Sequence, residues 1–76
     1  MQPDELSHVV AENLKTRREE LGLTQQQVAN AADITQAQYS RIESGKSSST
    51  LATLAKIASA LRISPDALLT PKIFSK

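Results

Sequence analysis

The chain has 76 residues, no cysteine, a single histidine and a formal net charge of +1. A chain of this length buries only about 60% of its unfolded surface, so we expect one domain without a second core. The lack of cysteine excludes disulfides, thiolate metal sites and a cysteine nucleophile. No apolar run approaches the roughly 18 residues of a membrane helix, and the N-terminus lacks a secretory signal pattern. We therefore expect a cytoplasmic protein with no membrane partner.

The charges are unevenly distributed along the chain. Residues 1–34 carry three basic and six acidic side chains, a net −3, whereas residues 35–62 carry four basic and one acidic, a net +3. The last segment, residues 63–76, adds a net +1. This polarity suits a domain that turns one face to a polyanion, although solvated surface charge alone can produce it.

The composition predicts an all-α fold, because helix-favouring residues dominate and alternating apolar–polar runs are absent. Helix 1 is predicted from about Asp4 to Leu21 and is ended by Gly22. Its expected apolar face contains Leu6, Val10, Leu14 and Leu21.

Two similar quartets follow, Thr24-Gln25-Gln26-Gln27 and Thr35-Gln36-Ala37-Gln38. In each, the Thr side chain can cap the amide three residues on, and the last Gln can reach back to the Thr amide, which makes a capping box. The first quartet predicts a helix that ends near Ala31, and the second a helix closed by Gly45. Two helix starts this close indicate a helix-turn-helix, whose second helix can enter the DNA major groove.

The rest of the chain predicts two more helices. Ser49 or Thr50 caps helix 4, whose helical repeat is Leu51, Leu54, Ile57, Ala58 and Leu61. Ser64 is expected to cap a short helix 5 with Pro65 in its first turn. Pro71 ends this helix and leaves residues 71–76 as a tail. The sum is one compact five-helix bundle over residues 1–76.

Three segments together carry a resemblance to a known family. They are Leu21-Gly22-Leu23-Thr24-Gln25, then Val28-Ala29, and then Tyr39-Ser40-Arg41-Ile42-Glu43-Ser44-Gly45-Lys46. They resemble the phage repressor and Cro type of helix-turn-helix domain, the Xre family. Leu54 to Leu61, followed by Ile63-Ser64-Pro65-Asp66-Ala67-Leu68-Leu69, is similar to the last two helices of that family, so the likeness extends from about Val10 to Leu69. The resemblance implies a lambda-repressor-like fold of five helices that binds double-stranded DNA, usually as a homodimer on a palindromic operator.

The resemblance places five residues of helix 3 where base edges are commonly read: Gln36, Ala37, Arg41, and additionally Gln38 and Ser40. Gln can bond bidentately to adenine and Arg to guanine. Alternative roles stay open at this point. Gln36 and Gln38 can serve in capping and surface solvation, with Gln38 the better suited to capping. Arg41 can contact a phosphate instead of a base.

Phosphate contacts are expected at the start of helix 2 and in the loop after helix 3. Gln25 begins helix 2, where the backbone amides and the helix dipole favour an anion. The remaining phosphate candidates are Ser44, Lys46, Ser47, Arg17, Arg18 and the hydroxyl of Tyr39. In related domains the positions of Arg18 and Glu43 form a partly buried ion pair, and the resemblance implies the same pair here.

Two positions depart from the family pattern. Asp33 stands in the turn where Gly is common, and Asp tolerates a left-handed backbone better than most residues. Tyr39 stands where an aliphatic residue is common, and we expect its ring in the core with its hydroxyl at the rim. The turn is therefore expected to survive with Asp33 in place of Gly.

No cofactor, metal or enzymatic activity is expected, because the sequence contains no His–carboxylate cluster, Gly-rich phosphate loop or paired nucleophile and base. A protein-interaction module is the other alternative, although helix 3 offers Gln, Ser and Arg where a protein groove would require an apolar stripe. For the homodimer contact we expect Leu69, Ile73 and Phe74. Sequence leaves open a stand-alone repressor, a restriction-modification controller and an antitoxin with a toxin partner.

Overall fold

A computed structural model describes the backbone of residues 5–70 and the side chains from Leu6 to Thr70. Within this range the chain forms five α-helices and no strand. The helices are α1 (Glu5–Glu20), α2 (Gln25–Ala31), α3 (Gln36–Glu43), α4 (Leu51–Ala60) and α5 (Pro65–Leu68). The all-α, five-helix architecture predicted from the sequence is confirmed.

Three helices begin at a threonine whose side chain accepts a hydrogen bond from the backbone N–H three residues later. Thr24 Oγ1 accepts from Gln27 at 3.1 Å, Thr35 Oγ1 from Gln38 at 3.0 Å, and Thr50 Oγ1 from Thr53 at 3.1 Å. Each bond satisfies one of the backbone donors that a helix start leaves without a partner. Thr50, not Ser49, is therefore the cap of α4. Ser64 precedes α5 at the predicted position, but its side chain makes no capping hydrogen bond. The prediction that Ser64 caps α5 was therefore wrong in part.

The helices pack around one apolar core. α2 packs against α3 and α4, α1 packs against α3 and α5, and α4 packs against α5. The core residues are Val10, Leu14, Val28, Ala29, Ala32, Tyr39, Ile42, Leu54, Ile57, Ala58, Leu61 and Leu68. This arrangement leaves one face of the α2–α3 pair free of other described elements.

Two leucines predicted on apolar helix faces are exposed. Leu6 is 56% exposed and Leu51 is 74% exposed. Each lies in the first turn of its helix, where the bundle no longer covers the face that is buried further along. Helical spacing identifies a face, but it does not show how far the neighbouring helices extend along it.

The turn between α2 and α3 contains Asp33 with a positive φ of 61°. Its left-handed backbone lets Ile34 N–H donate to the Ala29 carbonyl at 3.0 Å and reverses the chain within a few residues. Asp is among the residues that adopt this region at a modest cost. Asp33 therefore takes the conformation for which Gly is commonly used, as the sequence suggested.

Candidate nucleic-acid interface

Helix α3 has one buried face and one open face. Tyr39, Ile42 and Glu43 are buried, and Ser40 is partly exposed. The four other predicted base-reading residues are exposed: Gln36, Ala37, Gln38 and Arg41. All five lie within a single eight-residue helix, so the structure brings the predicted reading residues to one element.

The two threonine quartets differ in how their last glutamine is used. At the first, the Thr24 amide donates to Gln27 Oε1 at 2.8 Å, which completes the capping box. At the second, Thr35 accepts from the Gln38 amide, but the box is not closed by the Gln38 side chain. The expectation that Gln38 serves mainly in capping is therefore wrong for its side chain, whose amide is exposed and available to a ligand.

Arg41 lies at the junction of α3 and the following loop. Its Nε donates to Ser47 Oγ at 3.4 Å, and its carbonyl accepts from Ser44 Oγ at 3.0 Å. The first of these bonds is long and exposed, so it holds the guanidinium weakly. Lys46 is exposed in the same loop. Arg41, Ser44, Lys46 and Ser47 therefore form a polar cluster at the C-terminal end of α3.

The carboxylate of Glu43 lies at the centre of a buried polar network. Its Oε2 accepts from Arg18 Nε at 2.7 Å and from the Tyr39 hydroxyl at 2.8 Å. Its Oε1 accepts from Arg18 Nη2 at 3.1 Å and from Gln25 Nε2 at 2.7 Å. A carboxylate offers about four acceptor positions, so this one is fully used. The network joins α1, α2 and α3.

The network shifts the ionisation of its members. Burial raises the pKa of the Glu43 carboxyl, but bonds from Arg18, Gln25 and Tyr39 outweigh burial, so the pKa is lowered overall. The bond to Glu43 raises the pKa of Arg18. Burial, and then the bond to Glu43, raises the pKa of the Tyr39 hydroxyl. Glu43 and Arg18 therefore remain a charged pair at neutral pH, with Tyr39 neutral.

A helix-turn-helix family model, HTH_3, matches residues 14–68, which is most of the chain. The chain belongs to this helix-turn-helix family. The matched residues extend from α1 to the end of α5 and contain the α2–turn–α3 unit. No curated protein matches the sequence.

The helix-turn-helix chain is also similar to solved structures. The hypothetical transcription factor NHTF from Neisseria is 25% identical with a TM-score of 0.86, over 95% of this chain and 83% of that one. The restriction-modification controller protein C.AhdI from Aeromonas hydrophila is 26% identical with a TM-score of 0.79, over 82% of this chain and 94% of that one. An HTH_3 family transcriptional regulator from Vibrio cholerae is 36% identical with a TM-score of 0.82. That match covers 88% of this chain but 38% of the regulator.

The family match and these neighbours confirm the Xre-type resemblance read from the sequence. They support a DNA-binding transcriptional regulator. The resemblance also implied an ion pair between Arg18 and Glu43, and this pair is present at 2.7 Å. It ties α1 to the end of the second helix of the helix-turn-helix.

Two residues expected to contact phosphates, Tyr39 and Arg18, are engaged inside the helix-turn-helix domain. Tyr39 has no exposed surface, and its hydroxyl donates to Glu43, so neither the rim position nor the phosphate contact fits the structure. Arg18 directs Nε and Nη2 to Glu43 and Nη1 to the Leu23 carbonyl at 2.9 Å. We therefore assign Tyr39 and Arg18 to holding the motif together.

Arg17 serves the other side of the domain. Its Nε donates to the Leu61 carbonyl at 2.9 Å, its Nη2 donates to the Arg62 carbonyl at 3.2 Å, and its Nη1 pairs with Glu20 at 3.3 Å. These carbonyls lie at the end of α4, where a cation is favoured by the helix dipole. The structure thus gives Arg17 a capping role in place of the expected phosphate contact.

Two contacts of the network were not predicted from the sequence. Gln25 was expected to contact a phosphate only, and no contact with Glu43 was predicted. The contact between Tyr39 and Glu43 was not predicted either, although residues four positions apart on a helix lie on one face and their spacing could have revealed it. The Gln25 contact has no such local signal, because 18 positions separate it from Glu43.

The predicted dimer residues are only partly described. Leu69 is 38% exposed, whereas Ile73 and Phe74 lie outside the described residues. Leu69 lines a shallow apolar groove together with Leu6, Val10, Leu51 and Leu54. The two exposed leucines of α1 and α4 therefore adjoin the surface that was expected to form the dimer contact.

Two further observations concern residues 5–70 alone. Within this range no three potential ligands among His, Cys, Asp and Glu are grouped to hold a metal ion. In the same range no helix is long and apolar enough to cross a membrane.

Proposed function

We propose that the protein is a sequence-specific transcriptional regulator that inserts α3 into the major groove of double-stranded DNA. The observation that carries this proposal is the open face of α3, where Gln36, Gln38 and Arg41 are exposed while the opposite face is fixed in the core. A helix fits the major groove, and Gln and Arg have the geometry for adenine and guanine. Ala37 and Ser40 complete the proposed reading surface, with Ala37 suited to a thymine methyl group.

Four residues are the proposed phosphate contacts. Gln25 lies at the start of α2, before the proposed reading helix in the chain, and the other three lie in the loop after it: Ser44, Lys46 and Ser47. Such contacts set the register of the protein on the duplex and carry no sequence information. The division of labour is therefore sequence reading by α3 and positioning by its flanks.

The protein is further proposed to act as a homodimer on a palindromic operator, as a repressor or an autoregulator in the cytoplasm. One α3 helix reaches only a few base pairs, so two half-sites about 34 Å apart are the usual route to useful specificity. Leu69, Ile73 and Phe74 are the proposed dimer contact. The similarity to the restriction-modification controller protein C.AhdI, over 94% of that chain, favours a controller role over that of an antitoxin.

Selection of binding sites from random duplexes tests the proposal directly. We expect a palindromic consensus for the unmodified protein. Arg41→Ala should relax the preference at one position of each half-site at a cost of about 1–3 kcal/mol. Lys46→Ala should weaken all sites alike and reduce the slope of log affinity against log salt by about 0.9 per monomer. If Arg41→Ala leaves the consensus unchanged, Arg41 does not read a base.

The same salt titration separates DNA binding from a protein-interaction module. DNA binding through several phosphates weakens steeply with salt, whereas docking in an apolar protein groove is nearly insensitive to it. A protein that binds no duplex at low salt would overturn the proposed function altogether.

A further inference from the structure

We propose that Glu43 is a positioning residue for DNA binding, whose carboxylate orients the Gln25 amide so that its nitrogen is presented to a phosphate. This inference rests on the proposed function, in which Gln25 contacts the DNA backbone. It adds a residue that touches no DNA itself and assigns it an effect on affinity through Gln25.

The two ends of a glutamine amide differ in what they can bind, because Nε2 donates hydrogen bonds and Oε1 accepts them. A DNA phosphate only accepts hydrogen bonds, so Gln25 can bind it with Nε2 but not with Oε1. A free glutamine side chain offers either end. Here Glu43 Oε1 accepts from Gln25 Nε2 at 2.7 Å. The opposite orientation would place two oxygen acceptors against each other, so the carboxylate selects one orientation of the amide.

This orientation leaves a donor for the ligand. The Gln25 amide nitrogen carries two hydrogens, and its contact with Glu43 uses one of them. The second hydrogen can serve a phosphate oxygen while the first bond stays intact. Gln25 is itself partly exposed at the first position of α2, so a ligand can reach its side chain.

The carboxylate can impose this orientation because it is itself immobile. Arg18 holds both of its oxygens, and Tyr39 holds Oε2. The Glu43 side chain is 5% exposed, so no solvent competes strongly for these bonds. Arg18 also neutralises the carboxylate, which means that a phosphate approaching Gln25 meets no uncompensated negative charge.

The consequence is preorganisation. Gln25 loses its rotamer freedom when the protein folds, so DNA binding does not have to order this side chain again. Gln36 offers the contrast within the same protein, because it is exposed and none of the side-chain hydrogen bonds among the described residues involves it. Both α2 and α3 therefore begin with a glutamine, but the side chain of Gln25 is fixed before DNA binds, whereas that of Gln36 is free to adapt.

A double-mutant cycle between Gln25→Ala and Glu43→Leu tests the coupling. Leu removes every acceptor at position 43, and Ala removes the amide that Glu43 is proposed to orient. The probe is a mixed-sequence duplex of about 30 base pairs, since phosphate contacts do not depend on sequence. We expect Glu43→Leu to weaken binding about five-fold more in the unmodified background than in the Gln25→Ala background. Glu19→Gln, an exposed change of charge on α1, should show no coupling with Gln25.

The cycle removes the effects of Glu43 that do not pass through Gln25, including the charge freed on Arg18. Equal losses in the two backgrounds would show that Glu43 acts independently of Gln25 and would overturn the inference. A failure of the unmodified protein to bind the duplex would instead overturn the proposed function. The two failures are thus distinguishable.

A second measurement requires no variant to fold. NMR relaxation of the unmodified, DNA-free protein should give a clearly higher side-chain amide order parameter for Gln25 than for Gln36, whose value should lie below about 0.6. A Gln25 amide as mobile as that of Gln36 would overturn the inference, because an unrestrained amide is not oriented before DNA arrives.

Discussion

Asn13 on α1 donates its side-chain Nδ2 to the backbone carbonyl of Leu68 at 2.9 Å, across 55 positions of the sequence. The same nitrogen approaches the carbonyls of Thr70 at 2.7 Å and Ala67 at 3.4 Å. Asn13 is completely buried. A single side chain therefore caps the last turn of α5 and fastens this four-residue helix to α1.

Replacing Asn13 should loosen that attachment. Asn13→Ala removes the side-chain donor of the buried Leu68 carbonyl and of the part-buried Thr70 carbonyl, so we expect it to lower the free energy of unfolding by about 2–3 kcal/mol. Urea denaturation measures the change. The matched control is Glu12→Ala, at an exposed neighbouring position of α1, which should stay within about 0.5 kcal/mol. Equal effects of the two changes would contradict the capping role of Asn13.

Acid pH should remove the contribution of the Glu43 carboxylate to the free energy of unfolding. The folded protein holds the pKa of Glu43 below its ordinary value of 4.5, so the carboxylate stabilises the fold above that value. This stabilisation is lost as the pH falls through the lower, folded-state pKa. Glu43→Gln, which cannot ionise, should therefore be less stable than the unmodified protein at pH 7, and the gap should narrow below about pH 4.5.

Urea titrations at a series of pH values measure the two stabilities. Glu19→Gln serves as the control, because it removes a carboxylate of α1 that is exposed. A gap between the unmodified protein and Glu43→Gln that stays constant from neutral to acid pH would show that the charge of Glu43 does not matter.

Replacing the last glutamine of each quartet should have different effects on stability and on DNA affinity, because the Gln27 side chain closes a capping box and the Gln38 side chain does not. Gln27→Ala removes the acceptor of the Thr24 amide and should lower the free energy of unfolding by about 0.5–1 kcal/mol. Gln38→Ala removes no capping bond, so its free energy of unfolding should stay within about 0.5 kcal/mol of that of the unmodified protein. DNA affinity should show the reverse order, since the Gln38 side chain is the one free for a base. Thermal or urea unfolding together with duplex titration measures both, and equal losses of stability would mean that both boxes close in solution.

The turn between α2 and α3 depends on the left-handed backbone of Asp33. Asp33→Val places a β-branched side chain at a φ of 61° and should destabilise the protein by about 1–3 kcal/mol. Asp33→Gly relieves the conformational strain but increases the freedom of the unfolded chain, so its net effect should be less than about 1 kcal/mol. Urea unfolding compares the two. A tolerated valine would show that the turn adopts another conformation.

The dimer contact proposed for Leu69, Ile73 and Phe74 can be tested by shortening the chain. A chain ending at Thr70 lacks two of the three apolar residues and should associate at least about ten-fold more weakly. Leu69→Asp in the full-length chain should act in the same direction, because it places a charge at the contact. Sedimentation over a range of concentrations measures the association. An unchanged dimer after both changes would place the contact elsewhere.

The sequence alone determined the features that depend on near neighbours. Thr24 and Thr35 each cap a helix because donor and acceptor are three positions apart and meet wherever the chain turns helical. The buried face of α3 follows from the same local rules, whereas the cap of α4 stayed open between Ser49 and Thr50. The Xre-type resemblance added the Arg18–Glu43 pair, which spacing alone does not reveal.

Only the tertiary structure decided which groups remained free once the helices packed. Arg17 and Arg18 are adjacent in sequence, yet one binds the end of α4 and the other binds Glu43. Leu51 continues the apolar repeat of α4, but it is exposed because no helix among residues 5–70 covers the first turn. Such outcomes depend on contacts between residues far apart in sequence. A local sequence pattern cannot predict these contacts, because a polar side chain bonds to the partner that packing brings within hydrogen-bond distance.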